Sequence, residues 1–242
     1  MLYVVANGLW GVREESTSAI AERWLTTLNG LKSIDPPTFD GWHEAEDGVA
    51  SDPVLEPSPD SLTAYIERKN VAPDIGVIGI TSSLWAQNPG TPRVTVAVHA
   101  GGTSQWVTNS LAVTFRSREV KESAEVIRRT PEMLRVIAEA WDIDAGQVYN
   151  KSEYRAVSDE FDLENSHPRC GRAVYLSAGR AASAPTGLDG TYTRTAAGGL
   201  VIDLTRGGTA VPSVEAIVEA NRELRAAGAL KPIPEPYDRD KF

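Results

Sequence analysis

Cysteine is nearly absent. Cys170 is the only one among 242 residues, so no disulfide can form within the chain, and a reducing compartment is compatible with it. Histidine is scarce as well. His43, His99 and His167 fall in different predicted elements, and none has a second ligand type at the i, i+4 spacing that would aim two donors at one metal. His167-Pro168-Arg169-Cys170 offers two donors without a companion pair, so no metal or other cofactor is expected. Long apolar runs are missing too: nowhere do about eighteen apolar residues follow one another, and no segment is expected to span a membrane. The opening MLYVVANGLWG lacks the basic start and long apolar core of a secretory signal. Its valines suit a strand, and a cytoplasmic location is the resulting expectation. Neither GxxxxGK[ST] nor GxSxG occurs. Gly198-Gly199 and Gly207-Gly208 flank a strand without the lysine that a phosphate cradle needs, so they read as turns.

Basic residues are also in deficit, 24 against 33 acidic ones, for a net charge of −9. Affinity for phosphate backbones comes chiefly from Lys and Arg, so this balance argues against a nucleic-acid binder. It suits a basic protein partner, whose approach it would accelerate, and it equally suits plain solubility. With 41% hydrophobic and 24% charged residues, the chain can bury a substantial core and has the size of one large domain or two small ones.

What is present is a succession of short strands and capped helices. Leu2 to Ala6 is a strand candidate closed by the turn pair Asn7-Gly8. Ser16 then caps a helix whose Ile20, Trp24, Leu28 and Leu31 share one face, ending before Asp35-Pro36-Pro37. A strand is expected over Phe39 to Glu44, then a long exposed loop rich in proline and acid up to Pro59. Ser58-Pro59-Asp60 starts a helix that runs to about Lys69. Strands are predicted over Ile75–Leu84, Arg93–Ala100 and Ser110–Phe115, joined by short turns and therefore antiparallel. Two helices follow, one charged over Glu119–Arg129 and one with an apolar stripe from Thr130 to Trp141. An acidic irregular stretch is expected up to His167, then two or three strands between Gly171 and Thr205, interrupted by a small-residue loop over Ala178–Gly190. A last helix starts near Pro212-Ser213 and stops at Gly228. The prediction is a single α+β domain over residues 1–230, with a mixed, largely antiparallel sheet and packed helices, and a loose tail over residues 231–242.

Three constellations could carry function. The first is acid: Asp40, Glu44, Glu46, Asp47, Asp52, Glu56 and Asp60 occur with no Lys or Arg among them, and Asp159, Glu160, Asp162 and Glu164 form a second cluster. Both are explained by solvated loops, and both could face a basic partner. The second is tryptophan. Trp24 and Trp141 lie on apolar helical stripes and belong in the core. Trp85 and Trp106 fall in polar loops at strand ends, where either a core place or an exposed binding anchor is open. The third is a catalytic set assembled from His99, His167, Cys170 and a carboxylate, which only the fold can bring together. Cys170 before an apolar strand is more simply a small buried hydrophobe. Arg13, beside Trp10, is expected to fix a turn by pairing with carboxylates or stacking on a ring.

Trp10-Gly11-Val12-Arg13, a polar cap and a helix holding Ala21, Arg23, Trp24 and Leu25 open the chain. Thr130-Pro131-Glu132 through Ala140-Trp141-Asp142, the strand Gly171 to Ser177, and Gly198-Gly199-Leu200-Val201-Ile202-Asp203-Leu204-Thr205 before the final helix follow in order. Together these landmarks resemble the immunity protein 52 family of bacterial polymorphic toxin systems, from about residue 3 to about residue 230. Arg172 and Ala173 depart from the family pattern, which is bulkier and more apolar there. The resemblance implies a non-enzymatic, cytoplasmic α+β protein that binds and neutralises a cognate toxin, a basic nuclease of restriction-endonuclease-like fold. Glu44, Glu46, Asp47, Asp52, Glu56, Trp85, Trp106, Asp159, Glu160 and Asp162 are the residues expected to meet that partner.

Overall fold

Alternating small and apolar residues make the chain's opening its central strand. In the computed structural model, which describes residues 2–46, 48–49, 51–117 and 125–242, β1 (Leu2–Trp10) lies between two antiparallel neighbours. The turn expected at Asn7-Gly8 does not form, because Gly8 is paired opposite Leu111 on one side and Gly146 on the other. Glycine serves clearance there: a Cβ at Gly8 would stand 2.7 Å from the Ile143 side chain, so bare backbone lets the next layer pack directly on the sheet.

Eight further strands complete the sheet: β2 (His43–Glu44), β3 (Ile80–Ala86), β4 (Arg93–Ala100), β5 (Asn109–Ser117), β6 (Ala145–Asn150), β7 (Ala173–Leu176), β8 (Thr191–Arg194) and β9 (Leu200–Asp203). Their order is β2-β3-β4-β5-β1-β6-β7-β9-β8. The α+β class holds, and every pairing between these strands is antiparallel, so the sheet is less mixed than expected. The helices α1 (Thr17–Ile34) and α2 (Pro59–Lys69) start where expected, at the N-caps Ser16 and Ser58.

Elsewhere local geometry overrode the pattern. Ile75–Leu84 splits into a single-turn α3 (Ile75–Ile78) and β3, because Gly79 between them takes φ +90°. Of Phe39–Glu44, only β2 pairs. The charged helix expected over Glu119–Arg129 falls largely on residues 118–124, outside the described residues, while residues 125–128 are helical. After α4 (Thr130–Trp141), the stretch expected to be irregular holds β6 and α5 (Lys151–Phe161). Its overlooked signal is a capping box: Asn150 accepts from the Glu153 backbone N–H and Glu153 accepts from that of Asn150. The small-residue loop contains a single-turn α6 (Ala178–Ala181), and α7 (Val214–Ala226) follows the N-cap Ser213. β7 forms despite Arg172 and Ala173, since Arg172 leaves the core to bond Glu153 at 2.8 Å.

Helices cover the sheet's two faces unequally. On one face α1, α2 and α4 bury Trp24, Leu28, Tyr65, Leu134 and Ile137 against Val4, Ala6, Val96, Val113 and Val148. On the other, α5 and α7 bury Val157, Ile217 and Leu224 against Val174, Leu176, Leu200 and Ile202 of β7 and β9. Beside that second layer, residues of β1, β4 and β5, most of them small or polar, are only half-buried: Asn7, Leu9, Thr95, Ala97, His99, Ser110, Ala112 and Thr114. The turn after β1 is fixed by Arg13, whose guanidinium lies over Trp10, bonds Glu15 and donates to the carbonyls of Trp141 and Asp142 at the end of α4.

The second core is closed by one buried ion pair. Arg180 is fully buried; its Nε and Nη2 reach Asp144 Oδ2 at 2.9 and 2.6 Å, and its Nη1 donates to the carbonyls of Ala229 and Lys231. The other oxygen of Asp144 accepts from Ser177 Oγ and the Phe242 backbone N–H, and the Phe242 ring lies over the guanidinium. The stretch 231–242 forms no helix or strand, yet it is not loose. Tyr237 is buried and its N–H donates to Gln105 O, while Gly11 N–H donates to Asp240 O.

Replacing Arg180 with alanine strands a buried carboxylate and is expected to cost about 3–5 kcal/mol. Equilibrium denaturation should read the loss, and hydrogen exchange should show residues 231–242 losing protection first. Gly8→Ala is expected to cost about 1–3 kcal/mol through its clash with Ile143, read as a lowered thermal midpoint.

Candidate functional site

The structure sends the two tryptophans left open by the sequence to opposite ends of the sheet. Trp85 pairs with Thr95 near the end of β3, whereas Trp106 follows the other end, where Ile80 meets Ala100. Their acidic neighbours divide in the same way.

Trp85 is only 4% exposed. Its Nε1 donates to Asp52 Oδ2 at 2.8 Å, one face stacks on His43 at 4.4 Å between centroids, and the Arg93 guanidinium lies 4.0 Å from the ring centroid. Asp52 is buried and also accepts from the backbone N–H groups of Gly48 and Val49. This carboxylate therefore folds its own loop instead of facing solvent, while most of the described residues around it, Glu46, Val49, Ser51, Pro53, Val54 and Glu56 among them, are exposed as the sequence predicts. Glu44 is buried too and pairs with Arg68 at 2.5 Å; the exposed Glu46 reaches Lys69 at 3.1 Å. Glu56 is exposed, and Asp47 lies outside the described residues. The first acidic run lacks basic residues in sequence, but the end of α2 supplies them in space.

Trp106 is 68% exposed. It stands at an open groove of about 630 Å³ lined by Leu9, Thr108, Ser110, Leu163 to Ser166, Glu235 and Tyr237. Three segments distant in sequence build it. The first is the β4–β5 connection, whose Gln105 carbonyl accepts from Tyr237 N–H at 2.7 Å. The second is the C-terminal stretch: the Tyr237 hydroxyl donates to Glu235 Oε1 at 2.8 Å and is bonded to Thr108 Oγ1 at 2.9 Å, which aims the Glu235 carboxylate. The third is the loop after α5. There the buried Arg169 donates to the carbonyls of Leu163, Glu164 and His167, and stacks on Tyr154. Tyr154 in turn donates to Asn165. Burial holds the Arg169 pKa below its usual value, and burial with the nearby Arg169 charge lowers that of Arg225, which bonds Pro168 O, to about 10.

The second acidic cluster reaches this same end. Asp159 and Glu160 are exposed on α5, Glu160 pairing with Arg222 at 2.9 Å, and Asp162 is its C-cap. Glu164, at the groove, is exposed and makes no side-chain ion pair among the described residues. Glu235 and Tyr237 were missed in the sequence because they lie in a proline-rich, charged tail. The one available signal was a tyrosine in an otherwise polar segment.

The scattered histidines and the cysteine occupy separate settings. Cys170 is buried, its Sγ donates to Gly171 O, and burial pushes its thiol up to about 12. His99 bonds Thr81 Oγ1, and burial lowers its pKa; His167 Nδ1 accepts from Glu164 N–H. Among the described residues no three His, Cys, Asp or Glu side chains are grouped to hold a metal. No helix there is long and apolar enough to cross a membrane. Cys170 is expected to resist a thiol reagent at neutral pH in the native protein and to react at once in denaturant, read by mass spectrometry.

The fold has a solved counterpart. The Pseudomonas aeruginosa T6SS protein PA0821 superposes with a TM-score of 0.51 at 9% identity, over 96% of this chain and 74% of that one. No curated protein matches. A family model described as immunity protein 52 matches residues 3–233. The chain belongs to the immunity protein 52 family.

Proposed function

We propose that this chain binds and neutralises a cognate toxin by stoichiometric inhibition, and that the toxin is a basic nuclease domain of restriction-endonuclease-like fold. The observation that carries the reading is the family match over residues 3–233. A net charge of −9 supports a basic partner, since it raises the encounter rate with a positively charged surface. The inhibitor acts in the cytoplasm, where a chain with a single buried cysteine is stable without disulfides. Inhibition here needs no chemistry from the chain, only a surface that holds the toxin longer than the toxin can act.

The exposed end around Trp106, with Asp159, Glu160 and Asp162 nearby on α5, serves this role better than the first acidic run. Trp85 and Asp52 are buried in each other's hydrogen bond, and the buried Glu44 already holds Arg68. Breaking those contacts to meet a partner would cost what the partner returns.

Co-expression with the toxin domain encoded beside this gene is expected to rescue growth, and calorimetry with purified proteins should give tight one-to-one binding. Growth arrest despite full expression, together with no heat of binding, would sink the reading.

A further inference from the structure

We infer that the groove beside Trp106 receives an arginine from the toxin, seated on the Trp106 ring and held by the carboxylates of Glu164 and Glu235. The inference rests on the immunity reading and names the part of the surface that does the holding.

Trp106 is the largest side chain exposed to this extent among the described residues, and an indole left 68% in solvent contributes nothing to the chain's own core. Its position is nevertheless fixed. The backbone N–H of Trp106 donates to Ser104 Oγ at 3.2 Å, Ser104 N–H donates to Val77 O, and the carbonyl before it accepts from Tyr237. The two carboxylates at the groove are held from behind as well. Tyr237 aims Glu235, and Arg169 pins the backbone of Glu164 by donating to the carbonyls of Leu163, Glu164 and His167. Buried arginine is an expensive way to hold a surface loop, and the return is a loop already in its bound shape.

The chemistry of the groove selects its occupant. An aromatic face with carboxylates at its rim suits a planar cation that can stack and also bond in the plane, which is the guanidinium. Among the described residues no lysine or arginine lines the groove, so the charge of Glu164 and Glu235 there is open to a partner. The floor continues from Leu9 and Ser110 onto half-buried Asn7, Ala97, Ala112 and Thr114. This flat, small-residue face gives the toxin a surface to lie on around the anchored arginine, as a stable interface needs more area than one groove supplies.

The test is calorimetry and stopped-flow association with the catalytically silenced neighbouring toxin domain, at low and high salt. Trp106→Ala should weaken binding about thirtyfold, the loss expected of an aromatic anchor. The double variant Glu164→Gln/Glu235→Gln, which keeps Trp106, should slow association about tenfold at low salt and flatten the salt dependence. Circular dichroism and the thermal midpoint should be unchanged in both, since all three side chains are exposed. Wild type that binds, with both variants binding equally well and with equal salt dependence, overturns the groove and leaves the immunity reading standing. Loss on Glu44→Gln/Glu46→Gln alone would move the interface to the other end and overturn it too. A wild-type dimer that Trp106→Ala makes monomeric assigns the groove to a second copy, against this proposal. Failure of the wild type to bind the toxin removes the immunity reading and the groove with it.

Discussion

The ion pair between Arg180 and Asp144 is the constraint on which the rest of the second half depends. Asp144 sits just before β6, Arg180 in α6, the carbonyls it binds lie beyond α7, and Phe242 closes over it. Four segments thus meet at one guanidinium. A charge is costly to bury, and this one is tolerable because each guanidinium nitrogen finds an oxygen. Its structural yield is position: the C-terminal stretch must cross the end of the sheet to reach it, passing Gln105 and Gly11 on the way. The wall of the groove made by Glu235 and Tyr237 exists because that crossing is fixed.

Arginine repeats this work elsewhere at smaller scale. Arg13 satisfies the last carbonyls of α4 and lies over Trp10, and Arg23 adds a bond to Ala140 O while pairing with Glu15 at 2.6 Å. Arg169 does the same for the loop after α5. In each case a planar cation with several donors gathers backbone oxygens from a place where regular structure has ended. The chain's acidic surplus hides this, because net charge counts arginines but does not show that several are spent inside.

Sequence made the local elements legible wherever the signal was local. Ser16, Ser58 and Ser213 each cap the helix that the pattern announced, and the alternation of β4 became a strand buried on one side. The failures have physical reasons. Asn7-Gly8 has turn chemistry, yet Gly8 was needed for contact with Ile143. β6 contains Gly146 opposite Gly8 and Gln147, so its composition lacked the usual strand residues; its strength comes from neighbours on both sides. The acid-rich run looked solvated because the counter-charges of Glu44 and Glu46 lie on α2, more than twenty residues on. Of the candidate site, Trp106 was legible as an unsettled tryptophan, while Glu235 and Tyr237 were not, since only the docking of the tail brings them to it.

That last failure bears on how such a surface is made. A partner-binding site must be exposed, so its residues cannot be marked by hydrophobic periodicity, which records burial. What can be fixed from inside is their support: Arg169 beneath one side of the groove, Tyr237 beneath another, both buried and both hydrogen-bonded to the loop they carry. Side chains on such loops lose little freedom on binding, so more of each contact's energy remains as affinity. The groove and the ion pair are in this sense one device. The first offers little to the chain's own stability, and the second keeps it in shape before any partner arrives.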